Sequence, residues 1–326
     1  MYKVIAQQLS EPGTASRFLG DRQHCRFCGT TDRRAFGNRR NAHTFPEALG
    51  NRSVFSLDEC KACNELFSLY EDALCKAVGP YLTFGGIEGK RGVRQTGRSA
   101  GANYVRHSVV GGRRHIEVVS QGDASDLARV NLATGELHLR MPIEGDMFVP
   151  LYAYKALMRI ALSIMPVAEL ENFAGSLQCL QTLNGLPPSP SLQVGFSFSH
   201  VGNAPPALAG SLLRRISPTD FTPYMIAIFT AGNVCFQIWL RSDNQDEGLP
   251  EKAGLRIKWT SQLPKSEGGY YPVEFSDPLQ LDWSGVKPER QPFAAFELRF
   301  DPHSTQGNFI PILRAPSAAI EPAEPQ

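Results

Sequence analysis

The chain has 326 residues, 42% of them hydrophobic and 20% charged, as in a folded, soluble protein long enough for two ordinary domains or one large one. Thirty-three Lys and Arg stand against 32 Asp and Glu, a formal charge of +1 that excludes a strong molecule-wide field. Any contact with nucleic acid must therefore come from local clusters of charge.

Residues 1–20 lack the apolar core of a secretory signal and read as a loose lead-in. Residues 21–80 are dense in Cys, Arg and His. Asn41–Phe45 and Ser53–Glu59 each suit a short strand, and 64–78 is helical, with Leu66, Phe67, Tyr70, Leu74 and Val78 on one stripe. The Gly-rich, basic stretch 81–103 is expected to be a linker or loop. Beyond it, over 104–315, an α+β domain is expected. Its short β-branched segments (YVRHSVV, RRHIEVVS, LARVNLAT, ELHLRMPI) come before a helix over 149–166. That helix starts at Pro150, carries Leu151, Tyr154, Leu157, Met158, Ala161, Leu162 and Met165, and is stopped by Pro166. Further strands come at QVGFSFSHV, MIAIFT, VCFQIWLRS, GLRIKWT and AFELRFD, with a hairpin turn at Gly232-Asn233. Residues 316–326 have the composition of disorder. No apolar run is long enough to span a membrane, and a cytoplasmic location is expected.

Four of the seven cysteines form two pairs, Cys25-Arg-Phe-Cys28 and Cys60-Lys-Ala-Cys63. One such pair suits redox chemistry; two knuckles together close a tetrahedral site of four thiolates, so structural Zn2+ is the expected ligand. Cys75, Cys179 and Cys235 lie in apolar surroundings and read as buried hydrophobes, and His24 reads as exposed. About 55 residues bury too little to fold reliably alone, which gives the zinc its structural importance.

Within this strand–loop–strand–helix unit, His43 on the first strand and Asn64 in the first helical turn can face each other across a cleft. An imidazole near neutral pKa can take a proton from water, and a nearby oxygen ligand can hold a divalent ion against a phosphate. A zinc ion with four sulfur ligands has no open position for that role.

The order CRFCG, AHTFPEALGN, DECKACNELFS resembles the HNH endonucleases, in the bacterial branch with a C-x2-C … H-x2-P-E-x-L-G … C-x2-C-N pattern. The resemblance covers about 25–75 and implies a zinc-stapled ββα-metal nuclease fold. It implies that His43 is the general base, that Asn64 is a ligand of a catalytic Mg2+ or Mn2+, and that Asn51 is the Asn that orients the loop. Many members carry an acid just before the histidine as a second ligand. Here Ala42 stands there, and Glu47 and Asn41 are the nearest substitutes, since Glu71 lies two turns beyond Asn64, about 10 Å along the helix.

Seven arginines fall between Arg17 and Arg40, among them Arg39 and Arg40, against Asp21 and Asp32. Seven more basic residues, including Lys90, Arg91, Arg94 and Arg98, fall between Gly89 and His115 without an acid. Such clusters suit phosphate contacts. The sequence thus points to metal-dependent hydrolysis of DNA, double-stranded by expectation, with the C-terminal domain positioning or regulating the nuclease. That domain is also a candidate site for dimerisation or for a small-molecule or protein activator. Among HNH modules, this arrangement suggests mobile elements or antiphage defence. The alternative is a catalytically inactive, zinc-dependent nucleic-acid-binding regulator, which Ala42 favours.

Overall fold

The structure, a computed structural model, describes residues 2–37, 41–96, 104–110, 113–119, 128–131, 136–141, 145–187, 192–199, 204–217, 222–247, 249, 262–290, 296–300 and 312–313. Arg39, Arg40, Arg98, the strand expected over 254–260 and the tail over 316–326 lie outside these residues.

Mixed helices and mostly antiparallel sheets make the molecule α+β. Residues 1–20 are not the loose lead-in expected. They supply β1 (Tyr2–Ser10) and β2 (Arg17–Leu19), which enter two different sheets. The composition of 1–10 hid this because β1 is an edge strand, and its alternation is broken by a bulge between Val4 and Ala6. β3 (Ala42–His43) and β4 (Val54–Ser56) come next, then α1 (Lys61–Ala77) and α2 (Gly79–Gly85). Cys60, in extended conformation, is the N-cap of α1, so the second knuckle is split between a turn and the first helical residues. Phe67, Tyr70, Ala73, Leu74 and Ala77 form the buried stripe of α1.

α2 occupies the start of the stretch expected to be a linker, and its residues are buried throughout. The short hairpin β5 (Glu88–Gly89) and β6 (Gly92–Val93) comes next, followed by the hairpin β7 (Tyr104–Val110) and β8 (Arg113–Val119). β9 (Ala128–Asn131) and β10 (Glu136–Met141) belong to a four-stranded sheet that is completed near the C-terminus.

The central helix α3 (Pro150–Ile164) begins on Pro150 and ends where Met165 turns extended ahead of Pro166. The sequence shows one apolar stripe, yet α3 is buried on nearly every side, Lys155, Arg159 and Ser163 included. The reason is its place in the fold: α1 packs on one side and the six-stranded sheet on the other. Beyond it lie the short helices α4 (Val167–Leu170) and α5 (Ala174–Leu180). Lys155 Nζ donates to the carbonyls of Cys179, Thr182 and Leu183, tying the end of α5 to α3.

β11 (Gln193–Phe198), β12 (Leu208–Arg215), β13 (Met225–Ala231), β14 (Val234–Leu240) and β15 (Leu279–Asp282) complete the large sheet, in the order β1-β12-β13-β14-β11-β15. β16 (Phe296–Phe300) and β17 (Ile312–Leu313) extend the four-stranded one. β13 and β14 join through the two residues Gly232-Asn233, as the sequence predicts. Gly232 adopts φ 55°, which suits a turn whose first central residue must be left-handed.

One hydrophobic cluster runs from Cys25, Phe27, Phe45 and Phe67 through Tyr154, Leu157 and Ile160 to Leu212, Phe229 and Phe236. The cysteine-rich unit therefore shares its core with α3 and the sheet. At Gly210 on β12 the approach is so close that a Cβ would lie 2.6 Å from the Phe45 ring.

Candidate functional site

The two knuckles meet in space. The Sγ atoms of Cys25, Cys28, Cys60 and Cys63 all lie within 4.8 Å of one another. Cys25 and Cys63 are 3.8 Å apart, and Cys28 and Cys60 are 3.6 Å apart. A tetrahedron of sulfurs about 2.3 Å from a central ion has edges of about 3.8 Å, so the group can hold a metal such as zinc. Cys25 Sγ also accepts the backbone N–H of Cys60, and its hydrogen-bond contact with the Cys63 thiol is the main influence lowering its pKa. Cys75, Cys179 and Cys235 are buried and His24 is exposed, as their surroundings in the sequence imply.

Two arginines lock this unit to α3 in opposite directions. Arg26, inside the first knuckle, is buried. Its Nε binds Asp58 at 2.8 Å, and its Nη1 donates to the Leu162 and Met165 carbonyls, both at 2.8 Å, closing the C-terminal end of α3. One of the seven arginines counted toward a phosphate-binding cluster is thus structural. Arg159 reaches back from α3. It donates to the carbonyls of His43 (2.7 Å) and Thr44 (2.8 Å) and pairs with Glu59 (2.6 Å) and Glu71 (3.1 Å). Arg159 and Glu59 are fully buried, and burial raises the Glu59 pKa to about 7 against the pull of Arg159. Sequence reasoning missed Arg159. Its only local signal is a charge inside an apolar helix, which reads equally well as a solvated face.

β4 pairs antiparallel with β3 and parallel with β2, so His43 lies on a three-stranded sheet. Asn51 is buried in the connecting loop. Its Nδ2 donates to the carbonyls of Phe45 (2.9 Å) and Val54 (2.8 Å), while its Oδ1 accepts from the Ser53 and Val54 N–H groups. Asn51 thus bridges both ends of the loop. Both of its amide hydrogens are committed, so the 3.4 Å approach of Nδ2 to His43 Nδ1 is packing, not a third hydrogen bond.

His43 Nε2 lies 3.9 Å from Glu47 Oε2, and Glu47 Oε1 lies 3.3 Å from Arg52 Nη1. Arg52 Nη2 donates to the Glu88 and Gly89 carbonyls, both at 3.0 Å, which joins the loop to the β5–β6 hairpin. Burial is the largest influence on His43 and lowers its pKa below 6.5. Glu47 opposes this, while Arg159, Arg52 and Lys90 add to it.

Asn64 is exposed on the first turn of α1, and among the described residues no hydrogen bond joins its side chain to His43, Glu47 or Asn51. Glu71 faces Arg159 and is unavailable to an ion. Asn41 accepts from Arg22 at 2.6 Å. Among the described residues, the four cysteines are the one cluster of three or more His, Cys, Asp or Glu side chains placed to hold a metal. Ala42 leaves open the position an acid would fill, and Glu47 is shared with Arg52.

Comparison with family models, curated proteins and solved structures finds no match for the chain.

The basic residues divide. Lys90 and Arg91 are exposed on the β5–β6 hairpin, whereas Arg94 is half-buried and paired with Asp146 at 2.5 Å. Arg22, Arg33, Arg34 and Lys61 are exposed around the cysteine cluster. Among the described residues, no helix is long and apolar enough to cross a membrane.

Proposed function

We propose that the protein hydrolyses nucleic-acid phosphodiester bonds, DNA first among them, at a site centred on His43, with zinc in the four-cysteine cluster. The observation that carries this reading is the setting of His43. It is a half-buried imidazole held neutral at pH 7, anchored through its own carbonyl by Arg159 and facing a carboxylate across 3.9 Å. That gap suits one water molecule that donates hydrogen bonds of about 2.8 Å to both His43 Nε2 and the Glu47 carboxylate. In the proposed reaction His43 Nε2 takes the proton of that water as its oxygen attacks phosphorus, the P–O bond opposite breaks, and the departing sugar oxygen takes a proton from solvent. Glu47 orients the water, and Arg52 keeps the carboxylate in place. The exposed basic groups Lys90, Arg91 and Arg22 bind the flanking phosphates. A structural zinc would hold β4 and α1 in register without taking part in chemistry.

Ala42, where an acid would complete a metal site, favours a second reading: a zinc-dependent nucleic-acid-binding protein without catalysis. Incubation of plasmid and of single-stranded circular DNA with wild-type protein and His43→Ala, in Mg2+ or Mn2+ and with EDTA, separates the two. Nicking by wild type that is lost in His43→Ala supports hydrolysis. Equal cleavage by both, or cleavage by neither, removes His43 from a catalytic role.

A further inference from the structure

The sheet that carries His43 also lines up two aromatic rings beside it. In register, Phe18 on β2 stands opposite Phe55 on β4, and Phe55 stands opposite His43 on β3. The three side chains form one continuous row. The Phe18 and Phe55 rings stack with centroids 5.5 Å apart and planes at 22°, and Phe55 meets the His43 ring at 4.9 Å. Neighbouring positions Val54 and Ser56 are buried on the opposite side of β4. The row is thus the outward face of the sheet, and its outer end, Phe18, is 51% exposed.

A single exposed phenylalanine would need no explanation. This one continues a row that ends on His43, and basic groups surround the row. Arg22 is held at Asn41, one residue before β3. Arg52 is held at Glu47, beside the His43 ring. Lys90 lies on the hairpin that Arg52 joins to the loop. Flat rings among cations match a polyanion that carries flat bases. In an intact duplex the base faces are covered by their neighbours, so unpaired bases alone can use such a surface.

We propose that Phe18 and Phe55 form a base-stacking platform that seats the unpaired bases of a single-stranded nucleic acid next to His43. The platform is a binding site in its own right; only cleavage beside it rests on the hydrolytic reading of His43. It makes an unpaired strand the substrate, including one within a locally opened duplex, in place of the intact duplex that the sequence suggests.

The test is fluorescence anisotropy on the full chain without added divalent ion, using labelled oligothymidylate, oligouridylate and a mixed-sequence duplex of the same length. Wild type is expected to bind at least one single strand more tightly than the duplex, and comparison of the two oligomers assigns the sugar. Phe18→Ala should weaken single-strand binding about fivefold or more, the loss typical of one stacked base, with duplex binding unchanged. Phe18→Trp should retain wild-type affinity, and matching melting temperatures would confirm that the fold is intact. Three results would overturn the proposal: single-strand affinity unchanged in Phe18→Ala, equal losses on single strand and duplex, or an effect confined to self-association of the chain. Each is independent of catalysis, since His43→Ala abolishes cleavage under the hydrolytic reading whether or not Phe18 stacks on bases.

Discussion

His43 and Arg94 show how position alters what a residue type can do. Burial moves the His43 pKa down, so the neutral, proton-accepting form persists below pH 6.5. The acid limb of kcat/KM for cleavage should therefore lie below 6.5. Arg52→Ala removes a positive charge that depresses this pKa and also frees Glu47, which raises it. Both effects have the same sign, so the limb should move to higher pH. A limb that stays in place when Arg52 is removed would show that another group is the base. In the sequence Arg94 groups with Lys90 and Arg91 as a phosphate contact, yet only Lys90 and Arg91 are exposed, while Arg94 is committed to Asp146. Arg91→Glu should lower the slope of log K against log salt by about one unit, as for one lost phosphate contact. Arg94→Glu should instead lower the melting temperature, because it sets two acids against each other.

At the scale of elements, α3 is the part of the fold that joins the site to the sheet. Its Arg159 bridges the carbonyls of His43 and Thr44, Glu59 beside Cys60, and Glu71 on α1. Removing one member of a buried ion network typically costs about 3–5 kcal/mol, because the remaining charges stay buried without a partner. Arg159→Met should destabilise the protein by about that amount at pH 8. The penalty should shrink at lower pH, and Glu59 sets the sign. Its folded pKa is already raised to about 7, above the unfolded value near 4.5, so the folded state holds this proton more tightly than the unfolded chain. The associated stability is fully present below about 4.5 and is lost as pH rises through about 7. Without Arg159, protonation of Glu59 matters more, since the neutral acid needs no counter-charge. Denaturant titrations of both proteins at pH 5.5 and pH 8 check this; a difference that does not change with pH would mean that Glu59 is not the group responsible.

For the whole molecule, the shared core predicts that the cysteine-rich unit is not autonomous. A fragment of residues 11–96 would expose the α1 face that meets α3 and leave Arg26 without the Leu162 and Met165 carbonyls. It should remain poorly protected in hydrogen exchange even with excess Zn2+, whereas the full chain should be protected there. In the full chain, Cys60→Ser should reduce bound zinc from about one per chain and destabilise the region around β4 and α1, because metal binding contributes directly to folding. A fragment as protected as the full chain would restore the independent module that the composition suggests.

Local pattern was enough for the elements whose cause is local. The two cysteine knuckles, the helix between Pro150 and Pro166, the Gly232-Asn233 hairpin and the stripe on α1 all come from spacing, caps and turn chemistry, which act within a few residues. The family resemblance singles out Asn51 in the loop, and the structure places its amide across both ends of that loop. The remaining features depend on contacts between distant segments. Residues 2–10 become strand β1 because an edge strand is defined by the partner it pairs with, here β12. Arg26 and Arg159 are buried clamps and not surface charges, because burial depends on which helix lies opposite. Phe55 stands beside His43, and Phe18 beside Phe55. Residues distant in sequence become neighbours only through the register of paired strands, which no single segment contains.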